Sequence, residues 1–559
     1  MTAAAPTIRH ALARHFPAIP DFRDRQEEAI DRLVRGESLL YLAPTGSGKS
    51  LVYQVAGLVR GGLTLVVSPL RALIGQQCAV LRSLGLLATE LHCGISGKRQ
   101  YEILRDEVLN DARPRFLFLS PERAFSDGFV EYVLQRVRDR IGLVVIDEAH
   151  CISQWGHSFR PSYKGLPSFL HRVFDDGERP PLLGLTATLN PREEREIRAE
   201  FGLDESAVLR SDCLRRTNLE LSVESHEDED AKLARLEDLL ADPGRGKTLV
   251  YVHRKSGRYG TSSLASHFGG PVQGVDYFDA DRTDEEKRGV LAGFLNGSLH
   301  TVFATSAFGM GIDIPDIRLV VHYLMPESAE QFYQEVGRGG RDGFAARGVL
   351  LYTPTNVAVR RDLIAGQFPG ASDFVAVLDQ RLALTDHATT WNLYETLGGD
   401  DHALTSFHHL VRAGCVQVLG RGIGTIACFE APPQSCAAFE TIRGMTRTGM
   451  LITIARRLEQ PLHAVRDQLF GLFGAGRLRL TSAPDKCLFL RRGNPLDDNA
   501  LDGLLTTVEE RRAYRLATLA RFAAILDSGA DPTAGVLAEL GIGEGGDCNV
   551  AEGGLSNFT

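Results

Sequence analysis

The chain has 559 residues, enough for roughly three to four domains. Its 43% hydrophobic and 24% charged residues are typical of globular proteins with large buried cores. The net charge of −9 excludes a uniformly basic nucleic-acid-binding surface, although it leaves room for a local basic groove.

Targeting features are not evident. No apolar run approaches the roughly 18 residues that span a bilayer, and the first residues, MTAAAPTIRH, lack the apolar core of a signal peptide. The nine cysteines form no CxxC pair, which favours reduced thiols. These features predict a cytoplasmic protein that does not enter a membrane.

A helix start is predicted at residues 22–30, FRDRQEEAI. The side-chain amide of Gln26 can both donate to and accept from an adenine edge, which would favour ATP over other nucleotides. The alternative is an ordinary surface position on the helix.

Residues 43–50, APTGSGKS, follow a predicted strand and have the features of a phosphate-binding loop. Glycines let backbone N–H groups approach phosphate oxygens, Lys49 can reach the β- and γ-phosphates, and the Ser50 hydroxyl can ligate Mg²⁺ at a helix N-terminus. Ala43 stands where the usual pattern has its first glycine. The candidate nucleotide-binding residues of the loop are Thr45, Gly46, Ser47, Gly48, Lys49 and Ser50.

An apolar run at residues 143–146 predicts a strand buried on both faces, and DEAH follows it directly. A carboxylate at the carboxyl end of a parallel strand lies where such sheets bind ligands, so Asp147 can hold Mg²⁺ and Glu148 can orient a water molecule. An acid pair after a strand is more often a solvated turn, and the assignment therefore depends on the phosphate-binding loop upstream.

Apolar strands alternate with helical stretches along both halves of the chain. The predicted strands are residues 63–68, 116–119, 143–146, 182–185, 248–252, 301–304, 319–322 and 349–352. This alternation predicts an α/β protein with two parallel sheets covered by helices. The second half contains a GKT at residues 246–248, but it precedes its strand, whereas a phosphate-binding loop follows one. A single nucleotide is therefore expected between the two lobes.

Hydroxyl side chains follow two of these strands. Ser68, close to Arg71, is placed to contact a sugar-phosphate backbone. Thr186 and Thr188 could sense the γ-phosphate and transmit its state, with a simple turn as the alternative.

The second half contains the glycine-rich segment 337–343, GRGGRDG. Arg338 and Arg341, three residues apart, are placed to cross the cleft and stabilise charge on a transferring phosphoryl group. A glycine-rich surface turn is the alternative.

Together these motifs resemble those of RecQ-type helicases of superfamily 2, over about residues 20–345. The matching sequences are FRDRQEEAI, APTGSGKS, VVSPLRAL, DEAHCISQWGHSFRPSY, LTAT, VFATSAFGMGID and FYQEVGRGGRDG. The aromatic loop after DEAH separates this family from its relatives. The resemblance implies two tandem RecA-like lobes that use ATP and Mg²⁺.

The resemblance also implies roles for individual residues. Arg23 and Gln26 would contact adenine, and Arg338 and Arg341 would act as finger and sensor, with Gln334 nearby. Further implied site residues are Asp313 near the nucleotide and, for coupling single-stranded DNA to hydrolysis, Gln154, Trp155, His157, Phe159, Arg160, Thr186 and Thr188. An aromatic face stacks on any base without reading sequence, at roughly 1–3 kcal/mol per base.

The chain departs from the family pattern in three places. Ser158 stands where the family commonly has Asp, and residues 276–280, DYFDA, replace a tract that usually contains His. The zinc-binding cysteine cluster that follows the last motif in the family is absent, and only Cys548 faintly resembles it. We therefore expect no zinc in this protein.

The C-terminal sequence shows a helix, an Ala-Gly stop and a two-strand pattern, twice. The first pair of strands lies within residues 415–429, turned at 420–422, and the second within 477–490, turned near 484–485. This is the outline of two winged-helix units that would bind DNA, with packing units that bind no ligand as the alternative. A helix at about residues 499–528 and a disordered tail complete the chain.

These features divide the chain into six parts. The predicted parts are a first lobe (1–212), a hinge (213–230), a second lobe (231–355), a helical linker with the first winged-helix-like unit (356–432), the second such unit (433–495), and a C-terminal helix with a flexible tail (496–559).

The sequence therefore predicts an ATP- and Mg²⁺-dependent enzyme that, by resemblance, moves 3′ to 5′ along single-stranded DNA and unwinds tailed duplexes. An RNA helicase is one alternative, which the aromatic loop disfavours. An ATP-gated DNA-binding subunit of a larger assembly is another, which the missing zinc module favours. Protein partners, if any, are expected at the C-terminal region.

Overall fold

The computed structural model of the protein describes most of residues 7–548. The residues outside the description within that span are 45, 70, 93, 112, 114, 127, 153–160, 175–178, 188, 190, 212–214, 217, 243, 245, 253, 270–273, 309–313, 385–388, 393–396, 398–399, 423–424, 429–435, 445–447, 450, 476–477, 482–486, 529–530 and 541–546.

The first lobe is built on a seven-stranded parallel sheet of order β3-β4-β2-β5-β6-β1-β7. Its strands are β1 Leu39–Leu42, β2 Leu63–Val67, β3 Ala88–Leu91, β4 Arg115–Leu119, β5 Ile141–Ile146, β6 Leu182–Thr186 and β7 Val208–Arg210. Its α-helices are Ile8–His15, Gln26–Val34, Lys49–Arg60, Arg71–Ser83, Gly97–Glu102, Pro121–Ser126, Gly128–Arg136, Pro161–Lys164, Leu166–Phe174 and Pro191–Phe201, with a π-helix at Ile103–Leu109 and 3₁₀ turns at Arg138–Arg140, Ala149–Ile152 and Glu205–Ala207.

Strands β1 and β5 of this sheet carry no charged residue because both of their faces are covered. In β1, Leu40 and Leu42 belong to the core on one face, whereas Leu39 and Tyr41 belong to the core on the other. Successive side chains of a strand point to opposite faces, so a continuous apolar run is what a two-sided burial requires. The predicted parallel sheet is confirmed.

The second lobe repeats the architecture with a six-stranded parallel sheet of order β11-β12-β10-β13-β14-β9. Its strands are β9 Leu219–Ser225, β10 Lys247–Tyr251, β11 Val275–Phe278, β12 Thr301–Ala304, β13 Ile317–His322 and β14 Ala346–Tyr352. Its helices are Glu229–Ala241, Thr261–Gly269, Asp284–Asn296, Ala329–Val336 and Thr355–Ala365.

The connection between the lobes is shorter than the predicted hinge. Strand β9 pairs in parallel with β14 along residues 219–225, so this part of the range 213–230 belongs to the second sheet. Residues 211–218, here called the linker, join β7 to β9. The linker contains a short strand, β8 Arg215–Arg216, which pairs in parallel with the last strand, Asp547–Cys548.

The C-terminal region contains two three-stranded antiparallel sheets, of order β15-β20-β16 and β18-β17-β19. The strands are β15 Thr389–Asn392, β16 Val416–Gly422, β17 Thr425–Cys428, β18 Thr448–Gly449, β19 Leu478–Thr481 and β20 Cys487–Arg492, followed by β21 Asp547–Cys548. The helices are Ala371–Val375, Asp401–Arg412, Ala437–Gly444, Leu451–Leu458, Leu462–Gly474, Asp498–Asp527 and Pro532–Glu539, with a π-helix at Ala376–Arg381.

The predicted pairing of these strands into two hairpins is wrong. β16 pairs with β20, and β17 pairs with β19, so each strand finds its partner in the other predicted unit. The proposed turn at residues 420–422 lies inside β16. Long-range pairing has therefore replaced the local hairpins, and residues 356–495 do not separate into two winged-helix units at position 432.

Part of the C-terminal region packs on the first lobe. Phe470 stacks on Tyr132 with ring centroids 3.8 Å apart, and Phe473 meets Tyr101 edge to face at 5.1 Å. These four aromatic side chains are buried in the same apolar core as β1 and β5. Aromatic pairs of this kind contribute about 0.5–1.5 kcal/mol beyond their buried area.

The 30-residue helix Asp498–Asp527 connects this region to the second lobe. Its first half supplies Leu504 and Val508 to the C-terminal core. Its second half supplies Leu519 and Phe522 to the core of the second lobe. The helix Pro532–Glu539 follows within the range predicted as a flexible tail. Among the described residues, no helix is long and apolar enough to cross a membrane.

Candidate active site

The phosphate-binding loop follows β1 and ends where the helix Lys49–Arg60 begins. Gly46 and Gly48 have φ of +83° and +81°, a left-handed conformation that glycine adopts without strain. Lys49 Nζ donates to the Ala43 carbonyl at 2.8 Å, so the loop closes around the ammonium group. Burial lowers the pKa of Lys49, and the charges of Glu148 and Asp147 oppose that effect.

Gln26 lies against this loop and is 2% exposed. Its Nε2 donates to the carbonyls of Ser47 at 2.9 Å and Gly48 at 3.2 Å. Its Oε1 accepts from the backbone N–H of Arg23 at 3.0 Å, while the Arg23 side chain is exposed. The structure therefore brings Gln26 to the phosphate-binding loop. An adenine would compete with these backbone groups for hydrogen bonds to the Gln26 side-chain amide.

The acid pair lies at the carboxyl end of β5, beside the loop. Asp147 accepts hydrogen bonds from the Ser68 hydroxyl at 3.0 Å and from the Glu148 backbone N–H at 3.0 Å. Burial, followed by the charge of Glu148, raises the pKa of Asp147 to about 7, against the opposing charge of Lys49. A buried carboxylate with a raised pKa gains stability from a bound cation.

Glu148 has φ of +50°, which is uncommon outside glycine and marks local backbone strain. His150 Nδ1 lies 3.1 Å from the Thr186 hydroxyl and 3.3 Å from Glu148 Oε2. One ring N–H can serve only one of them, and Glu148 Oε2 is a buried oxygen with no hydrogen-bond partner among the described residues. That oxygen is available to a water molecule.

Two contacts of the acid pair were not predicted from the sequence. The Tyr163 hydroxyl donates to the Asp147 carbonyl at 2.7 Å, and Tyr163 is fully buried. Ser68 directs its hydroxyl to Asp147, and its predicted contact with a sugar-phosphate backbone stays a prediction. Tyr163 stands at the end of the DEAHCISQWGHSFRPSY motif, and this position was the one available signal.

The arginine loop, residues 337–344, brings the second lobe to the phosphate loop. The Arg341 side chain approaches Gly46, since a Cβ placed on that glycine would lie 3.9 Å from Arg341 Cγ. Arg338 is 8% exposed and lies beside Tyr251. Burial raises the pKa of Tyr251, and the positive charge of Arg338 opposes that rise. Gln334 lies one turn earlier on the helix Ala329–Val336.

Several predicted site residues cannot be compared with the structure. Thr45, Thr188, Asp313 and the loop residues Gln154, Trp155, His157, Phe159 and Arg160 lie outside the described residues. Ser50 lies in the first turn of the helix Lys49–Arg60, half-buried beside the phosphate loop. Thr186 ends β6, is fully buried, and reaches the acid pair through His150.

Two parallel-sheet lobes with a phosphate loop, an acid pair and a facing arginine define the class of nucleotide-dependent helicases. The DEAD/DEAH box helicase model matches residues 23–197, and the helicase conserved C-terminal domain model matches residues 231–343. The fold is similar to the Mycobacterium smegmatis helicase Lhr bound to ssDNA and AMP-PNP, with a TM-score of 0.50 and 20% identity, over 66% of this chain and 52% of that one.

Among relatives, the chain is 31% identical over 369 residues to the probable ATP-dependent DNA helicase RecS of Bacillus subtilis, which is 65% of this chain and 70% of RecS. It is 33% identical over 358 residues to the ATP-dependent DNA helicase RecQ of the same organism, which is 63% of this chain and 58% of RecQ. The chain belongs to the RecQ family of ATP-dependent DNA helicases.

Proposed function

We propose that this protein hydrolyses ATP with Mg²⁺ in order to move 3′ to 5′ along single-stranded DNA and to unwind tailed duplexes. The observation that carries the proposal is the approach of Arg341 to Gly46, because it places an arginine of one lobe against the phosphate loop of the other. A cation from the facing lobe can stabilise charge on a transferring phosphoryl group only when the lobes are closed.

Each group of the site has a part in this reaction. Lys49 would leave the Ala43 carbonyl for the phosphates, and Glu148 would orient the attacking water through Oε2, which has no hydrogen-bond partner among the described residues. Ser50 and Asp147 would hold Mg²⁺, which neutralises phosphate charge, and the half-buried Asp147 carboxylate with its raised pKa fits that role. Arg338 and Arg341 would supply the remaining positive charge.

DNA would act on this site through the loop 153–160. Asp147 and Glu148 precede that loop, and Tyr163, which follows it, is hydrogen-bonded to the Asp147 carbonyl. Base stacking on Trp155 and Phe159 would therefore act on the peptide unit that carries the catalytic carboxylate. The Glu148–His150–Thr186 contacts extend the same connection to the end of β6.

The coupling is tested by the ratio of ATP hydrolysis with and without single-stranded DNA. We expect Trp155→Ala to lower this ratio while leaving nucleotide affinity unchanged. Trp391→Ala, at the other of the two tryptophans, is the matched control and should keep the ratio. An unchanged ratio in Trp155→Ala would show that the loop does not couple DNA to hydrolysis.

The same assay separates DNA from RNA as the substrate. Single-stranded DNA should stimulate hydrolysis, whereas an RNA of the same base sequence should not. Stronger stimulation by RNA would favour the RNA helicase alternative.

A cytoplasmic location is also part of the proposal. It rests on the reduced state expected for the cysteines, since Cys78, Cys151, Cys415 and Cys436 form no disulfide among the described residues.

A further inference from the structure

The linker between the lobes makes direct contact with the arginine loop. Arg216, near the C-terminal end of the linker, is 7% exposed. Its Nη1 donates to the Gly337 carbonyl at 2.8 Å, and its Nη2 donates to the Gly340 carbonyl. These two carbonyls flank Arg338 and precede Arg341, so one guanidinium group spans the part of the loop that carries both arginines.

Asn218 extends this contact to the far end of the loop. Its Nδ2 donates to the Gly340 carbonyl at 2.7 Å and to the Phe344 carbonyl at 2.9 Å. Its Oδ1 accepts from Arg216 Nη2 at 3.4 Å, which joins the two linker side chains. The linker thus holds three backbone carbonyls of the arginine loop, at residues 337, 340 and 344.

The loop conformation and the linker depend on each other at Gly340. This residue has φ of +58°, and a Cβ there would lie 2.6 Å from Asn218 Nδ2 and 2.5 Å from the Phe344 carbonyl oxygen. A glycine is therefore required for both the left-handed backbone and the close approach of Asn218.

The electrostatics indicate that Arg216 is not an ordinary ion-pair partner. Burial, followed by the charge of Arg341, lowers the pKa of Arg216 to about 10. Its hydrogen bonds go to loop carbonyls rather than to a carboxylate, so what it fixes is the backbone path of the loop. A planar guanidinium suits this, because its donors can serve two acceptors at once.

We propose that Arg216 and Asn218 are positioning residues for ATP hydrolysis, which hold the arginine loop so that Arg341 faces the phosphate loop. The inference rests on the proposed role of Arg341 in hydrolysis.

The test is the steady-state kinetics of ATP hydrolysis by Arg216→Gln, at saturating single-stranded DNA, in the full chain. Displacing catalytic groups by about 1 Å can cost about 100-fold, so we expect kcat to fall by roughly that factor while KM for ATP changes little. Arg216→Lys keeps the charge but cannot bridge two carbonyls, and it should restore only part of the loss. Arg235→Gln, which removes a pair with Glu224 at the sheet edge, is the matched control and should hydrolyse normally.

A merely structural role is excluded by combining variants. In an Arg341→Ala background, Arg216→Gln should cause little further loss of kcat, because the group it positions is gone. If the kcat of the double variant is reduced by the product of the two single-variant losses, the inference is overturned. Should Arg216→Gln fail to fold, Asn218→Ala decides in its place, with an expected loss of roughly 10-fold that also disappears in the Arg341→Ala background.

The outcomes also separate this inference from the proposed function. Hydrolysis at the normal rate by both Arg338→Ala and Arg341→Ala would overturn the proposed role of the arginines. Normal hydrolysis by Arg216→Gln and Asn218→Ala beside an impaired Arg341→Ala would overturn only the positioning role.

Discussion

Acid should loosen the contact between the C-terminal region and the first lobe through His409. This residue is 4% exposed, and burial, then the charges of Arg511, Arg412 and Lys164, lower its pKa to about 4. A histidine that is neutral when folded and protonated when unfolded binds more protons in the unfolded state between pH 6.5 and about 4. Stability is therefore complete above pH 6.5 and falls as the pH is lowered through this range.

The size of the effect follows from the two pKa values. An unfolded pKa of 6.5 and a folded pKa of about 4 give a loss of about 2 kcal/mol between pH 8 and pH 5. Lys164, whose pKa burial lowers to about 8, is protonated in both states over most of that range and adds little. Asp147, with its pKa raised to about 7, acts in the opposite direction, so the histidine must be isolated by a variant.

The assay is urea unfolding of the chain and of His409→Gln at several pH values. In a Trp155→Phe background, the fluorescence reports only Trp391 in β15 of the C-terminal region. The difference in unfolding free energy between the two proteins should change by about 2 kcal/mol from pH 8 to pH 5, because the effect at Asp147 is the same in both proteins and cancels. Parallel pH curves for the two proteins would refute the reasoning.

Three further predictions concern catalysis, packing and metal content. Glu148→Gln should bind ATP but lose turnover, as measured by nucleotide binding beside single-turnover hydrolysis, and normal turnover would place the catalytic base elsewhere. Phe470→Ala should destabilise the C-terminal region by about 3–5 kcal/mol in urea unfolding, because its buried ring stacks on Tyr132. The control is Phe344→Ala, at a ring that is 69% exposed, and its unfolding free energy should stay within about 0.5 kcal/mol of that of the unmodified protein. Protein purified without added metal should hydrolyse ATP once Mg²⁺ is supplied and should contain no zinc by elemental analysis, and close to one zinc per chain would contradict this.

The sequence predicted the two lobes and the position of the acid pair because each depends on local order. A strand, a turn and a helix follow one another in the chain, and the residue at the end of a parallel strand lies at the ligand-binding edge. The phosphate loop after β1 and Asp147 after β5 were found in this way. Residue roles within the site came from the resemblance to a family and stay predictions.

The C-terminal sheets could not be predicted in the same way because their pairing is non-local. A Gly-Arg-Gly turn signal at residues 420–422 was overridden by pairing of β16 with β20, which lies beyond three intervening helices. Arg216 gave no sequence signal either, since its acceptors are backbone carbonyls 121 and 124 positions away. Backbone carbonyl groups are the same at every residue, so no pattern of side chains in the sequence predicts such a contact.

Strand separation on a DNA duplex with a 3′ single-stranded tail tests the central claim most directly. The full chain with ATP and Mg²⁺ should separate the 3′-tailed duplex and leave a 5′-tailed duplex of the same sequence intact. Lys49→Ala, which loses the ammonium group of the phosphate loop, should separate neither. ATP hydrolysis stimulated by DNA without separation of either duplex would contradict the claim and identify the protein as an ATP-gated DNA-binding subunit.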